Sequence, residues 1–531
     1  MTTVTDVLRQ RTVGIKAKES ARDQVISDSL GQGQDDNSSL RRQNTIDAAT
    51  KIATTATVTA KRTRRSKQLN HVYPIHHISR ASILSRDSVA RTPSFVGFRN
   101  LAMIVLVVSN LRLVVENYKK YGVLISFSRF DMPRQDFAYA MLLTGSIPLH
   151  LFIALVIERT IASAAAVAAA AATTKTAAIK RYMWHVVVLV HSINVACCVL
   201  VTTWFVYYKV YHPVVGTACE IHAVIVGLKV ASYALTNRDL REAAQHKRKD
   251  RGGGGGGGGG DDDDDDDDDD DEWVVPEFYR TAPYPDNLTV SNLCYFWWAP
   301  TLVYQPVYPR SGPFRLGFFM KRVAEVIACG VVIWFLSAQY AVPTLQNSLV
   351  HFNTLAYVSL TERLMKLATV SMAIWLTGFF CVFQSGLNGL AEAMRFGDRE
   401  FYDDWWNSTT VGEYWKLWNK PVTNYFRRHM YGPLVRSRGW SPVQASAIVF
   451  TVSAVLHELA VGVPTHNVIG VAFASMMLQI PLAVVTAPLA GMPGRTPATI
   501  GNCVFWVSFF MGQPLGVLLY YFAWSAKYVK E

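Results

Sequence analysis

From about residue 98 onward the sequence repeatedly presents apolar windows of roughly 20 residues, the length a helix needs to cross a ~30 Å hydrocarbon core. Nine such windows stand out, at about 98–116, 136–157, 184–208, 213–235, 321–341, 364–391, 443–463, 467–490 and 500–524. Inside hydrocarbon every backbone N–H and C=O needs a partner within the protein, which leaves helices or a closed barrel. The alternating pattern of a barrel is absent. The expected fold is therefore an all-α polytopic membrane protein with about nine transmembrane helices.

The first 94 residues differ in character. They are rich in Ser, Thr, Arg, Asp and Gln, including "KRTRRSK" at 61–67, and are too poor in aromatic residues to bury a core. A disordered, basic, cytosolic tail is expected for 1–94, with no cleaved signal peptide and with the first membrane helix as the insertion signal. N-terminal membrane helices follow over 95–250, with the Ala-rich "ASAAAVAAAAATTKTAA" (162–178) as an extension or linker. Nine Gly and eleven Asp at 252–271 make a flexible, self-repelling linker, so 251–272 separates this half from a second transmembrane core over 273–531. Calcium binding by the Asp run would need a defined geometry that a glycine-run neighbour does not supply. The net charge of +12 suits an anionic membrane surface, and no nucleic-acid motif accompanies the basic run. The seven cysteines lack zinc spacing and read as small buried hydrophobes, so neither metal nor cofactor is expected.

An ionisable or amide side chain inside a span is costly and asks for a partner or a role. In "SAIVFTVSAVLHELAVGVP", His457 and Glu458 sit mid-span; Ser453 and Ala454 lie one turn before His457, and Ala460 and Val461 one turn after. Two readings stand: a histidine bridging helices beside a paired glutamate, or a neutral imidazole acting as general base in an apolar chamber. Gln479 and Gln513, each close to a proline, either tie helices together or converge with His457 on one buried polar site. Glu220, His222 and Lys229 in the fourth window read as a structural salt-bridge network. Between the windows, "FYDDWWNSTTVGEYWKLWNKPV" (401–422) spaces Phe401, Trp405, Val411, Trp415 and Trp418 at near-helical intervals, so 396–431 is expected as an interfacial amphipathic segment. The basic cluster Lys416, Lys420, Arg427, Arg428 and His429 suits either phosphate groups or anionic lipid.

"FGDREFYDDWWN" (396–407), followed some fifty residues later by an intramembrane His-Glu, resembles the membrane-bound O-acyltransferase superfamily, in its sterol and diacylglycerol O-acyltransferase group. The resemblance runs from about residue 96 to the C-terminus, apart from the Ala-rich and Gly/Asp insertions. "YPDNLT" (284–289), "QIPLA" (479–483) and "GQP" (512–514) look like the diacylglycerol branch. The resemblance implies a nine-helix bundle around a buried chamber, assembled as a homodimer or homotetramer in the endoplasmic reticulum membrane. It also implies acyl-CoA-dependent esterification of 1,2-diacylglycerol to triacylglycerol. The catalytic histidine falls on His457, with Glu458 beside it. The functional asparagine of "WNKPV" falls on Asn419, with Trp415, Trp418 and Pro421 as substrate contacts. "RHMYGP" supplies Arg428, His429, Tyr431 and Pro433 toward CoA, and Met476, Gln479 and Gln513 match positions near the acceptor and reaction centre. Two departures are Leu459 where the family has Tyr and Asp403 where a basic residue is common. A CoA-binding basic residue that the family places further on has no clear counterpart, which shifts the grip toward Arg436 and Arg438. A sterol acyltransferase would share the chemistry; a transporter, the non-enzyme alternative, would show internal repeats, and none is seen.

Overall fold

A computed structural model describes residues 74–76, 78–85, 93–118, 134–170, 176–252, 275–353 and 357–528. In chain order the helices are α1 (Val96–Tyr118), α2 (Arg134–Ser146), α3 (Leu149–Ala170), α4 (Thr176–Lys209), α5 (Pro213–Gly252), α6 (Val290–Trp298), α7 (Leu316–Leu336), α8 (Val342–Asn353), α9 (Tyr357–Phe379), α10 (Leu387–Ala393), α11 (Val411–Leu417), α12 (Lys420–Phe426), α13 (Gly432–Arg436), α14 (Pro442–Gly462), α15 (Val471–Met477), α16 (Gln479–Thr486) and α17 (Arg495–Tyr528). One-turn π segments join α7 to α8, α9 to α10 and α12 to α13. Among the described residues there is no strand, only isolated bridges of Arg80 with Asp398 and Arg310 with Phe396.

Among these residues, 8 helical stretches are long and apolar enough to cross a membrane: Arg134–Ala165, Trp184–Lys209, Pro213–His246, Leu316–Leu349, Tyr357–Ala393, Pro442–Gly462, Val471–Gly491 and Thr496–Lys527. The ninth window corresponds to α1, whose apolar part, Val96–Ser109, is shorter. Residues Asn70–Arg248 and Val275–Glu531 form one compact unit; of the other, Met1–Leu69 with Lys249–Val274, only residues 249–252 are described. The Gly/Asp linker and the expected disorder of residues 1–73 thus lie outside the described residues. The Ala-rich stretch continues α3 as far as Ala170, as its helix propensity favours.

The end of the basic tail is an ordered strap. The backbone N–H of Arg80 donates to Gly397 C=O (3.1 Å), and the N–H of Arg399 to Arg80 C=O (2.8 Å). The Arg80 guanidinium bonds Asp398 and Glu400, each at 2.7 Å. His76 bonds Asp398 through Nδ1 and Thr301 Oγ1 through Nε2 (2.8 Å). The expectation of disorder through residue 94 therefore fails over 74–76 and 78–85. A polar segment needs no core of its own when a neighbouring loop supplies its hydrogen-bond partners.

"FYDDWWN" is packed into the protein and is not part of one amphipathic helix. Phe401, Tyr402, Trp405 and Trp406 are all buried, in the largest apolar cluster, and 401–431 breaks into a turn and two short helices instead of one amphipathic helix. The break follows from capping: the Thr410 side chain accepts from Glu413 N to start α11, and Asn419 accepts from Val422 N to start α12. Two glycines admit this loop to the core. A Cβ on Gly97 would stand 1.4 Å from Trp406 O, and one on Gly501 1.9 Å from Thr409 O, so α1 and α17 press their backbones against the loop from two sides. Asn407 accepts from Gly97 N (2.6 Å), while Asn502 donates to Trp406 O (3.0 Å) and Ser408 O (2.9 Å) and accepts from Asn100 (2.8 Å).

The sequence-based salt-bridge network in α5 does not form. The Lys229 ammonium donates to the carbonyls of Phe296, Trp297 and Ala299 at 2.8–2.9 Å, closing the C-terminal end of α6, and Glu220 accepts from Thr203 Oγ1 (2.6 Å). Residues 220 and 229 lie more than two turns apart, and each finds a nearer partner.

Two outcomes follow. Gly97→Ala should destabilise the protein by about 3 kcal/mol or more, because the methyl meets backbone that cannot yield without opening the loop; thermal unfolding in detergent reads this. Burial pushes the Asp398 carboxyl pKa up, but bonds to His76 and Arg80 outweigh it and hold it below its ordinary 3.8. A depressed carboxylate adds stability that is present above the unfolded value and lost as pH falls through the folded one. Proteolysis of the strap should therefore accelerate in wild type only below about pH 4, and in Asp398→Asn at neutral pH.

Candidate active site

α14 begins with a Ser441–Gln444 capping box and runs through the apolar layer, and its faces have different neighbours. Val449, Val452 and Leu456 pack toward Leu302, Val303, Tyr425 and Phe426. Thr451 Oγ1 lies 3.8 Å from Met477 Sδ on the opposite flank. Between these flanks, Phe450 meets the Trp415 ring edge-on at 5.7 Å. His457 lies two turns beyond Phe450 on that same face. Its side chain is exposed although neighbouring segments pack on both flanks of the helix.

Its orientation is set locally. Nδ1 lies 2.7 Å from Ser453 O, the carbonyl one turn earlier. A carbonyl only accepts, so Nδ1 carries the proton and Nε2 keeps its lone pair. Among the described residues nothing bonds Nε2. This is the tautomer a general base requires, and it points away from its own helix.

Glu458, rotated by about 100°, is buried and does other work. Oε1 accepts from Gly470 N (2.9 Å); Oε2 accepts from Phe473 N (3.1 Å) and from the Tyr520 hydroxyl (2.7 Å). Tyr520 in turn accepts from Ala472 N (3.0 Å), which commits its own proton to the carboxylate. One side chain thereby fastens α14, the start of α15 and α17. The sequence pointed to Glu458 but not to Tyr520, since a tyrosine in an apolar window carries no distinguishing signal. Asn502, an intramembrane amide, did carry one.

Gln513 precedes Tyr520 by two turns of α17, and Gln479 follows Ala472 by two turns along α15 and α16, each about 10 Å from the tie. Phe450 and Trp415 lie at a similar distance on the same side, because Thr486 Oγ1 accepts from Val411 N (3.1 Å) and so brings the end of α16 to the start of α11. Gln479 donates to Ser475 O (3.3 Å), Gln513 accepts from Ser371 (3.5 Å), and Met476 is buried. Gln479 and Gln513 thus lie about two turns from the Glu458 tie and Met476 about one, and no hydrogen bond joins any of them to His457.

Asn419 spends its carbonyl oxygen on the α12 cap (3.2 Å), and its amide N–H groups remain for another acceptor. Lys420 N donates to Phe401 O (3.0 Å) and Asp403 N to Leu417 O (2.8 Å), zipping "FYDD" to "WNKPV". Trp418 stacks on Tyr414 at 5.9 Å and meets Phe383 at 5.5 Å. The buried Trp415 Nε1 has no partner among the described residues, and Pro421 is half-buried at the first turn of α12.

Arg428 and His429 are buried. His429 Nε2 bonds Ser232 Oγ (2.8 Å) on α5, and burial lowers the Arg428 pKa against the opposing pull of Tyr279 and Asp239. Tyr431 and Pro433 are half-buried, whereas Arg427, Arg436 and Arg438 are exposed. Arg427 lies close enough to Arg436 to feel its charge, so two cations share one patch. No cluster of metal-ligating side chains occurs among the described residues.

The chain matches the membrane-bound O-acyltransferase family over residues 279–522. It is 35% identical to diacylglycerol O-acyltransferase 1B of Glycine max, over 84% of this chain and 81% of that one. It is 34% identical to diacylglycerol O-acyltransferase 1 of Arabidopsis thaliana, over 84% and 76%. The protein of that name from Dictyostelium discoideum is 32% identical over 83% of this chain, which spans 64% of that longer relative.

Glu458→Ala would strand two backbone N–H groups and the Tyr520 hydroxyl, and should cost about 3 kcal/mol or more, against about 1 kcal/mol for Tyr520→Phe, in detergent thermal unfolding.

Proposed function

The chain belongs to the membrane-bound O-acyltransferase family, and from that footing we propose that it transfers an acyl group from acyl-CoA to the free hydroxyl of 1,2-diacylglycerol, forming triacylglycerol. The observation that carries the catalytic part is the His457 imidazole, exposed, with its proton fixed on Nδ1 by Ser453 O and Nε2 without a partner among the described residues. A thioester is already activated, so the enzyme's task is to take the hydroxyl proton, align the two substrates and stabilise the oxyanion. Nε2 accepts the proton as the alcohol oxygen attacks the thioester carbon. Collapse of the tetrahedral intermediate expels the CoA thiolate, which takes the proton back.

Candidate donors toward the oxyanion are the free amide of Asn419 and the Gln479 and Gln513 amides. Glu458 acts as a positioning residue through the α15 and α17 tie. Met476 lines the acceptor side; Trp418 and Pro421 line the acyl path. Arg427, Arg436 and Arg438 meet the phosphates of CoA, with Arg428, His429 and Tyr431 holding their segment in place beneath. The chain is a multi-pass membrane protein. Residence in the endoplasmic reticulum membrane and assembly as a homodimer or homotetramer belong to the same proposal and rest on the family.

Microsomes containing wild type or His457→Ala are supplied with radiolabelled acyl-CoA and either diacylglycerol or a sterol. The expected result is triacylglycerol from wild type, little steryl ester, and a loss of ~10²–10⁴-fold in the variant. Unchanged triacylglycerol output in the variant sinks the role of His457. Steryl ester as the main product sinks the assigned acceptor.

A further inference from the structure

α7 and the α9–α10 pair run side by side in opposite directions, and a series of contacts marks their register. A Cβ on Gly389 would stand 3.3 Å from Arg322 Cβ, and Arg322 reaches Gln384 O at 3.5 Å. Glu325 accepts from Ser385 Oγ (2.7 Å) and pairs with Arg322 (2.9 Å). Cys381 Sγ approaches Val326 O at 3.8 Å, and a Cβ on Gly378 would stand 4.0 Å from Ile333. Cys329 lies between Val326 and Ile333 on this seam, one helical turn beyond the carbonyl that the Cys381 thiol approaches. Cys381 belongs to the π segment Phe380–Gly386, where the extra residue of each turn displaces the backbone from α-helical register.

Both thiols are free and partly exposed. Around them Ala328, Gly330, Val331, Val332 and Val382 present an open apolar face at membrane depth. Two thiols on one packed seam between facing segments differ from a lone buried cysteine: the first to be oxidised has a resolving partner about one turn away on the facing segment. The apolar approach selects an oxidant that partitions into lipid.

We propose that Cys329 and Cys381 form a reversible disulfide when a lipid hydroperoxide reaches the α7 face, covalently fastening α7 to the π segment. One sulfur attacks the terminal peroxide oxygen. The O–O bond breaks, the alkoxide leaves and takes that thiol's proton to become an alcohol, and a sulfenic acid remains. The second thiol's sulfur then attacks the first; the S–O bond breaks, and hydroxide departs with the second proton as water. In sum, two thiols and one hydroperoxide give a disulfide, an alcohol and a water. The same π segment carries Phe383 against Trp418 and Gln384, which accepts from Ser82 of the strap and from Tyr402, so the staple would anchor the point where these elements meet.

The full chain in lipid nanodiscs is treated with linoleic acid hydroperoxide, alkylated and mapped by mass spectrometry without reduction. The expected result is one linked peptide pair, Cys329 with Cys381, lighter by two hydrogens, as alkylatable thiols fall from seven to five. Dithiothreitol should restore both; Cys329→Ser and Cys381→Ser should each abolish the link, and Cys503→Ser should leave it. Peptide mapping of wild type alone decides the matter if a variant fails to fold. Two thiols that stay alkylatable, a sulfinic acid on either without a link, or a link joining other cysteines overturns the proposal.

Discussion

A carboxylate buried at membrane depth is tolerable only if its lone pairs are taken, and Glu458 takes three donors from two other elements. That requirement organises the catalytic half of the bundle. Since Oε1 and Oε2 bind Gly470 and Phe473, the chain must turn back after α14 so that the first N–H groups of α15 face the helix they have just left. The same acid reaches Tyr520, so α17 is held in the register that its two bonds to Glu458 and Ala472 dictate. With Glu458 committed to this side, its neighbour is turned by about 100° into the remaining gap. The histidine faces open space because the glutamate does not.

A second constraint sits at the other end of the same helices. The loop 405–409 carries two buried tryptophans and enters the core only where α1 and α17 each lack a side chain, at Gly97 and Gly501. The loop's exposed carbonyls are then met by Asn502, and Asn407 returns the contact to α1. Backbone bonds pass this placement on to Leu417 and Lys420, which leaves Asn419 where its side chain starts α12. The strap extends the chain of contacts, since Arg80 and Lys420 share Glu400. Residues far apart in sequence thus meet around the segment that carries Trp415 and Trp418.

Much of this was legible before the structure. The spans were readable because hydrocarbon imposes a length and a composition on every crossing segment. His457 and Glu458 were readable because an ionisable pair in such a segment is rare enough to demand a reason. The tryptophan-rich segment was misjudged as one amphipathic helix: tryptophan suits both an outward face at the headgroup level and a core, and nothing local separates the two. Lys229 was assigned to an ion pair because its real acceptors, three carbonyls at the end of α6, have no side-chain signature. The order of residues 74–76 and 78–85 was invisible for a similar reason, since their partners lie some three hundred residues away.

By itself the sequence determined that this chain must be helical, must cross the membrane many times and must give an intramembrane histidine something to do. Each of those follows from local composition set against the cost of polar groups in lipid. Only the tertiary structure decided which of two adjacent ionisable residues is structural and which faces open space, and which face of α14 borders it. It also decided that the signature loop is a core joint clamped by two glycines. Those outcomes depend on which donors, carbonyls and missing side chains other helices bring within hydrogen-bond or van der Waals distance, and a linear pattern holds no record of such distances.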